Sequence, residues 1–152
     1  MPKETVNGVT QWYGPRSQYD GVAGEQGRLS DLRELVIFVK GGELSNGTAT
    51  LPAGATIVGN AIVEVTEAFA LGGTSPVLNI GVSGTEGTNR LAQVSEAQAE
   101  ALGTYSIASA GTLAANTPLA AAATVRCVLG GGGANTDGGV GRLKLVIPYK
   151  VV

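Results

Sequence analysis

Arg142-Leu143-Lys144-Leu145-Val146-Ile147-Pro148-Tyr149-Lys150-Val151 near the carboxyl end is the stretch that decides the fold class. Leu143, Leu145, Ile147, Tyr149 and Val151 fall on one side of an extended backbone, and Arg142, Lys144, Pro148 and Lys150 on the other. Successive side chains of a strand point to opposite faces, so this spacing predicts a β-strand with one apolar and one wet face. Shorter runs of the same kind precede it. Thr124 to Leu129 sets Val125, Cys127 and Leu129 against Thr124, Arg126 and Val128, and Val77 to Val82 sets Leu78, Ile80 and Val82 against Val77, Asn79 and Gly81. Thr56 to Phe69 reads as one long strand with a bulge at Gly59.

From Leu32 to Lys40, Leu35, Ile37 and Val39 alternate with Glu34, Val36, Phe38 and Lys40 before Gly41-Gly42 ends the run. Apolar residues on both faces predict a central strand. Residues 104–108 form a further candidate strand, and Thr117 to Ala122 another that begins near Pro118. Ser95-Glu96-Ala97-Gln98 fits a capping box, which predicts a helix of at most two turns stopped by Gly103. Gly130 to Gly141 reads as a flexible hairpin loop between the last two strands. The expected architecture is all-β: a jelly-roll-like β-sandwich of about seven or eight strands with one short helix and an extended N-terminal arm.

That arm is residues 1–29, and the sandwich domain is residues 30–152. In the arm Trp12, Tyr13 and Tyr19 stand among Gly14, Pro15, Gly21, Gly24 and Gly27, with Arg16 and Arg28 between, and no period of 2 or 3.6 is evident. Aromatic rings on a Gly/Pro-rich segment are costly to leave in water, so the arm is expected either to dock on a partner or to fold back on its own domain. Trp12, Tyr13, Arg16 and Tyr19 are the candidate partner-binding residues.

A chain of 152 residues is one domain's length, able to bury roughly 68–70% of its unfolded surface without a metal or disulfide staple. Net charge is −2, with Lys and Arg scattered, so nucleic acid is not an expected partner. Cys127 is the sole cysteine and reads as a buried, inert thiol. No apolar run is long enough for a membrane span, and MPKETVNG lacks a secretory core, so synthesis in the cytoplasm without membrane association is expected. Asn46-Gly47-Thr48 matches a glycosylation acceptor but reads as a turn.

Histidine is absent, which removes Ser–His and Cys–His nucleophilic sites and the commonest zinc ligand. Paired carboxylates remain: Glu64 with Glu67, three apart on a strand and so on opposite faces, and Glu96 with Glu100, at the spacing of a solvated helix face. Gly130-Gly131-Gly132-Gly133-Ala134-Asn135-Thr136-Asp137 lacks the Lys and following helix of a phosphate loop, and Asp137 alone does not make a calcium loop. Gly81-Val82-Ser83-Gly84 has its last Gly misplaced for a nucleophile elbow. No catalytic residue, metal ligand or cofactor is expected, and the chain reads as a non-enzyme.

Leu51-Pro52-Ala53-Gly54-Ala55, then Ile62-Val63-Glu64-Val65-Thr66-Glu67-Ala68-Phe69, then Leu78-Asn79-Ile80-Gly81, resemble a series found in structural proteins of tailed-bacteriophage heads. The similarity spans roughly residues 30–152, and the aromatic arm looks like the capsid-attaching ends of such proteins. The resemblance implies a capsid decoration (cement, or head auxiliary) protein. It would bind the major capsid protein on the exterior of the virion, as a homo-oligomer with a trimer favoured, and hold neighbouring subunits together. The alternative is a phage tail-fibre or receptor/carbohydrate-binding β-sandwich module. Against sugar binding, the only Trp lies in the arm rather than on the sandwich. Arg142, Lys144 and Lys150 on the wet face serve solubility or meet an acidic capsid surface.

Overall fold

A computed structural model describes residues 4–6, 9–11 and 32–151. The chain divides into an amino-terminal unit, Met1–Leu32, and a second unit, Arg33–Val152. In the first, β1 (Glu4–Val6) pairs antiparallel with β2 (Val9–Gln11), Val6 opposite Val9. The residues between them in sequence are Asn7-Gly8, a favoured dipeptide for a two-residue hairpin. Reading residues 1–29 as wholly aperiodic overlooked this pair.

The second unit is built from two sheets and one short helix. Its strands are β3 (Leu32–Lys40), β4 (Ala49–Leu51), β5 (Ala55–Ile57), β6 (Ala61–Glu67), β7 (Val77–Val82), β8 (Arg90–Ser95), β9 (Gly103–Ile107), β10 (Ala123–Gly130) and β11 (Arg142–Val151). One sheet runs β9-β6-β11-β3, with β5 also paired to β11; the other runs β4-β10-β7-β8. Leu35, Ile37 and Val39 of β3, Val63 and Val65 of β6, and Leu143, Leu145 and Ile147 of β11 enter one core. From the second sheet Leu78, Ile80, Leu91, Val94, Val125 and Cys127 enter the same core. Two sheets closing on shared apolar faces is an arrangement consistent with a β-sandwich.

The closing stretch behaves as its alternation requires: Leu143, Leu145, Ile147 and Tyr149 are buried, and Arg142 and Lys150 are exposed. Pro148 interrupts the ladder because it has no N–H to donate. Opposite it, the partner strand breaks at Val58-Gly59-Asn60, between β5 and β6, and the Val58 N–H donates to the Pro148 carbonyl at 3.2 Å. Pairing resumes with a changed register, Tyr149 opposite Ile57 but Val146 opposite Ile62. The expected single strand from Thr56 to Phe69 is therefore two, β5 and β6, parted opposite Pro148.

Three expectations are corrected. First, among the described residues β3 ends its sheet rather than lying in the middle. Second, Thr117 to Ala122 is not a strand. Residues 116–119 instead line β5 through isolated backbone bonds: Asn116 N–H to the Ile57 carbonyl at 2.8 Å and Leu119 N–H to the Ala55 carbonyl at 2.9 Å. Third, β10 and β11 belong to different sheets, so the loop between them is a sheet-to-sheet crossing and not a hairpin. Its Asn135 Oδ1 accepts from Thr74 N–H at 2.8 Å, Thr136 and Gly72 exchange two backbone bonds of 2.9 Å, and Asp137 Oδ2 accepts from Gly42 N–H at 2.9 Å. A loop fastened at three points is a strap across the end of the fold.

The capping box forms: Gln98 N–H donates to Ser95 Oγ at 3.2 Å, and Ser95 N–H to Gln98 Oε1 at 3.1 Å. Helix α1 is the single turn Glu96–Ala99.

Candidate docking face

Alternation along β3, β6 and β11 sends the side chains that miss the core to the outer surface of the five-stranded sheet. β3 presents Val36, Phe38 and Lys40 there, β6 presents Ile62, Glu64 and Thr66, and β11 presents Arg142, Lys144 and Val146. The register aligns them in rows: Thr104, Glu64 and Lys144 stand abreast, then Ser106, Ile62 and Val146. Phe38 is 65% exposed, Ile62 43% and Val36 39%. Isolated apolar residues on a surface need no explanation, but three large ones sharing one sheet face mark a candidate contact surface.

Beside Phe38 lies a groove of about 490 Å³ whose polar wall is Lys40, Glu64, Thr66, Arg142 and Lys144, with Val39 and Leu143 also lining it. Two ion pairs stand at its rim. Arg142 Nε lies 3.3 Å from Glu67 Oε1, and Lys40 Nζ lies 3.8 Å from Glu43 Oε2, every partner more than half exposed. Such pairs stabilise a fold by about 0–1 kcal/mol, so their charges remain available to a partner.

The outer side of the four-stranded sheet carries a different arrangement. Glu86, only 6% exposed, accepts hydrogen bonds from Arg126 Nε and, at 3.1 Å, from Gly84 N–H. Burial works to raise its pKa, but the bonds from Arg126, its own N–H and Gly84, together with attraction to the guanidinium, outweigh it. The result lies below the ordinary carboxylate value. Asn79, also buried, accepts from Gln93 Nε2 at 2.9 Å. Cys127 is fully buried, and that burial, followed by the charges of Glu86 and Asp137, pushes its thiol far above the ordinary range.

Trp12, Tyr13, Arg16 and Tyr19, the residues singled out from sequence, lie outside the described residues. Glu64 sits on the outer face opposite Lys144, whereas Glu67, at the end of β6, faces Arg142. Glu100 Oε2 accepts from Leu71 N–H at 2.9 Å, which ties the end of α1 to the segment after Phe69. Among the described residues, no group of three or more His, Cys, Asp or Glu side chains is placed to hold a metal ion. Sequence reasoning missed Phe38 as a site residue. The signal was there, an aromatic on the face of β3 opposite Leu35, Ile37 and Val39, but it was read as a second buried face.

No family model and no curated protein matches the chain. Among solved structures, a chain of the capsid of Ralstonia phage GP4 aligns with 80% of this chain and 85% of its own length, at 19% identity and a TM-score of 0.47.

Proposed function

We propose that this chain is a structural protein of a tailed-phage particle: a decoration or cement protein, jelly-roll-like in fold, that binds the outside of the head and bridges major capsid subunits. In this reading it works without catalysis or cofactor, as a homo-oligomer, with a trimer favoured. Trp12, Tyr13, Arg16 and Tyr19 of the arm engage the shell. The observation that carries the reading is Phe38, set with Val36 and Ile62 on the outer face of a regular sheet. That is the kind of surface a protein keeps for another protein. The phrases shared with phage head proteins, from Leu51-Pro52-Ala53-Gly54-Ala55 to Leu78-Asn79-Ile80-Gly81, supply the kind of partner.

Each copy needs only moderate affinity when several contacts on one lattice act together. Purified chain mixed with emptied, expanded heads of the phage that encodes it is expected to co-sediment and to saturate. Deleting residues 1–29, or replacing Trp12, Tyr13 and Tyr19 together by Ala, is expected to weaken that binding by at least about tenfold. Unchanged binding by both variants would remove the arm from the proposal. Absence of binding by the intact chain, with recognition of glycans instead, would transfer the protein to the receptor-binding class.

A further inference from the structure

Asn46 closes the single 3-10 turn Leu44–Asn46 between β3 and β4, and Gly47 follows it. The Asn46 N–H bonds the Glu43 carbonyl at 3.1 Å, but Gly47 leaves the turn extended, at φ −82° and ψ 97°, and among the described residues nothing accepts its N–H. Packing requires glycine there, because a Cβ at position 47 would run into the Phe38 carbonyl. Asn46 itself is exposed, its Nδ2 donating to Glu43 Oε1 at 3.3 Å on the surface. The other described asparagines are placed differently. Arg90 N–H, after Asn89, donates to the Ala110 carbonyl at 3.1 Å; Thr117 N–H, after Asn116, to Ala114 at 3.2 Å; and Thr136 N–H, after Asn135, to Gly72 at 2.9 Å. Ile80 and Ala61, after Asn79 and Asn60, lie in ladders opposite Cys127 and Ile107. A hydrogen-bonded N–H must give up its partner before its nitrogen can attack, and every one of these five followers carries a Cβ that crowds the approach.

We propose that Asn46-Gly47 is a self-modification site, at which the folded chain deamidates through a cyclic imide with water as the only co-reactant. Hydroxide removes the Gly47 amide proton, and the nitrogen attacks Cγ of Asn46, an intramolecular reaction favoured by proximity. The N–Cγ bond forms, the Cγ–Nδ2 bond breaks, and Nδ2 leaves as ammonia after taking a proton from water. Water then opens the five-membered ring. Cleavage of the new N–Cγ bond gives aspartate in an ordinary backbone, whereas cleavage at the Asn46 main-chain carbonyl gives the β-linked isomer. The balance is Asn plus water to Asp plus ammonia. Either product places an oxygen where Nδ2 now donates to Glu43, so two carboxylates face each other, and the net charge passes from −2 to −2 − 1 = −3. The β-linked product also lengthens the main chain by one carbon beside the Phe38 carbonyl, where not even a Cβ fits. This site is independent of the head-binding reading.

The test ages folded, full-length chain in neutral and mildly alkaline buffer made with heavy-oxygen water, and follows each asparagine by peptide mapping and mass spectrometry. Asn46 is expected to convert at least about tenfold faster than Asn60, Asn79, Asn89, Asn116 or Asn135, with heavy oxygen in the product and both aspartate isomers present. Its rate is expected to rise with hydroxide concentration and to stay within about threefold of that in guanidinium-unfolded chain, because the fold leaves the site open. Asn46→Gln, whose longer side chain needs a larger and slower ring, is expected to hold position 46 unchanged over the same time. Conversion of Asn46 no faster than at the other five positions would overturn the proposal. So would an Asn46 that survives in the folded chain and converts only in denaturant, since the turn would then protect it. A product wholly of the ordinary isomer would mean direct hydrolysis of the side-chain amide, and would remove Gly47 from the reaction.

Discussion

Glu86 is the only acidic side chain among the described residues held almost wholly out of water, and its hydrogen bonds decide what that burial does. Its folded pKa lies below the unfolded value, so its contribution to stability is complete above the ordinary carboxylate range. The contribution is lost as pH falls through the folded value. Glu86→Gln keeps the shape and removes the charge that Arg126 faces, leaving a hydrogen bond to a neutral acceptor. The expected cost near pH 7 is about 1–2 kcal/mol. Urea denaturation over a pH series would read it: the gap between variant and wild type should shrink as acid protonates Glu86. A gap as wide at pH ~3 as at pH ~7 would mean that the charge of Glu86 is not what the substitution removes.

At the scale of elements, the strap between β10 and β11 depends on glycine where the backbone leaves ordinary space. Gly141 has φ +115°, and a Cβ built on it would stand 2.3 Å from Cγ of the buried Phe69. Gly141→Ala thus combines a strained dihedral with overpacking, and is expected to cost about 2–3 kcal/mol. Gly133 in the same loop has nothing within 4 Å of its Cβ position, and Gly133→Ala is expected to fall within about 0.5 kcal/mol of wild type. Thermal melts of the two variants compare a fastened position with an open one. Equally small losses would show the strap to be loose along its length.

The same elements mark how far sequence reasoning reaches. β11 was legible because one buried face imposes alternation on every second residue, and β7 because Leu78 and Ile80 alternate in type with Asn79 and Gly81 although all four are buried. β8 escaped because its register against β7 shifts between Ile80 and Gly81 and Leu91 and Ala92 are both buried, so the alternation fails within a six-residue strand. The β10–β11 connection was misread because adjacency in sequence suggests a hairpin, and nothing local distinguishes a return within one sheet from a crossing to the other. Phe38 was visible as a residue but not as a site. Its exposure depends on the outer face of the sheet being left uncovered by the other described residues, which is fixed by long-range packing.

For the whole molecule, a face that binds and a core that folds are separable, and this gives the proposed role a thermodynamic consequence. A protein that binds only the intact lattice stabilises it by RT ln(1 + [L]/Kd) per site, about 2.7 kcal/mol at a hundredfold excess over Kd. The melting temperature of emptied heads should therefore climb with the logarithm of free chain concentration once sites begin to fill. Because Phe38 is 65% exposed and points away from the core, Phe38→Ala should leave the isolated chain's own melting temperature nearly unchanged. On heads it should displace the curve to higher concentration by the factor lost in Kd, without altering the slope. Calorimetry of heads titrated with wild type and variant measures both quantities in one series. Heads whose melting is indifferent to saturating chain would rule out a cementing role even where binding is tight, because such a ligand favours the closed and loosened lattices equally.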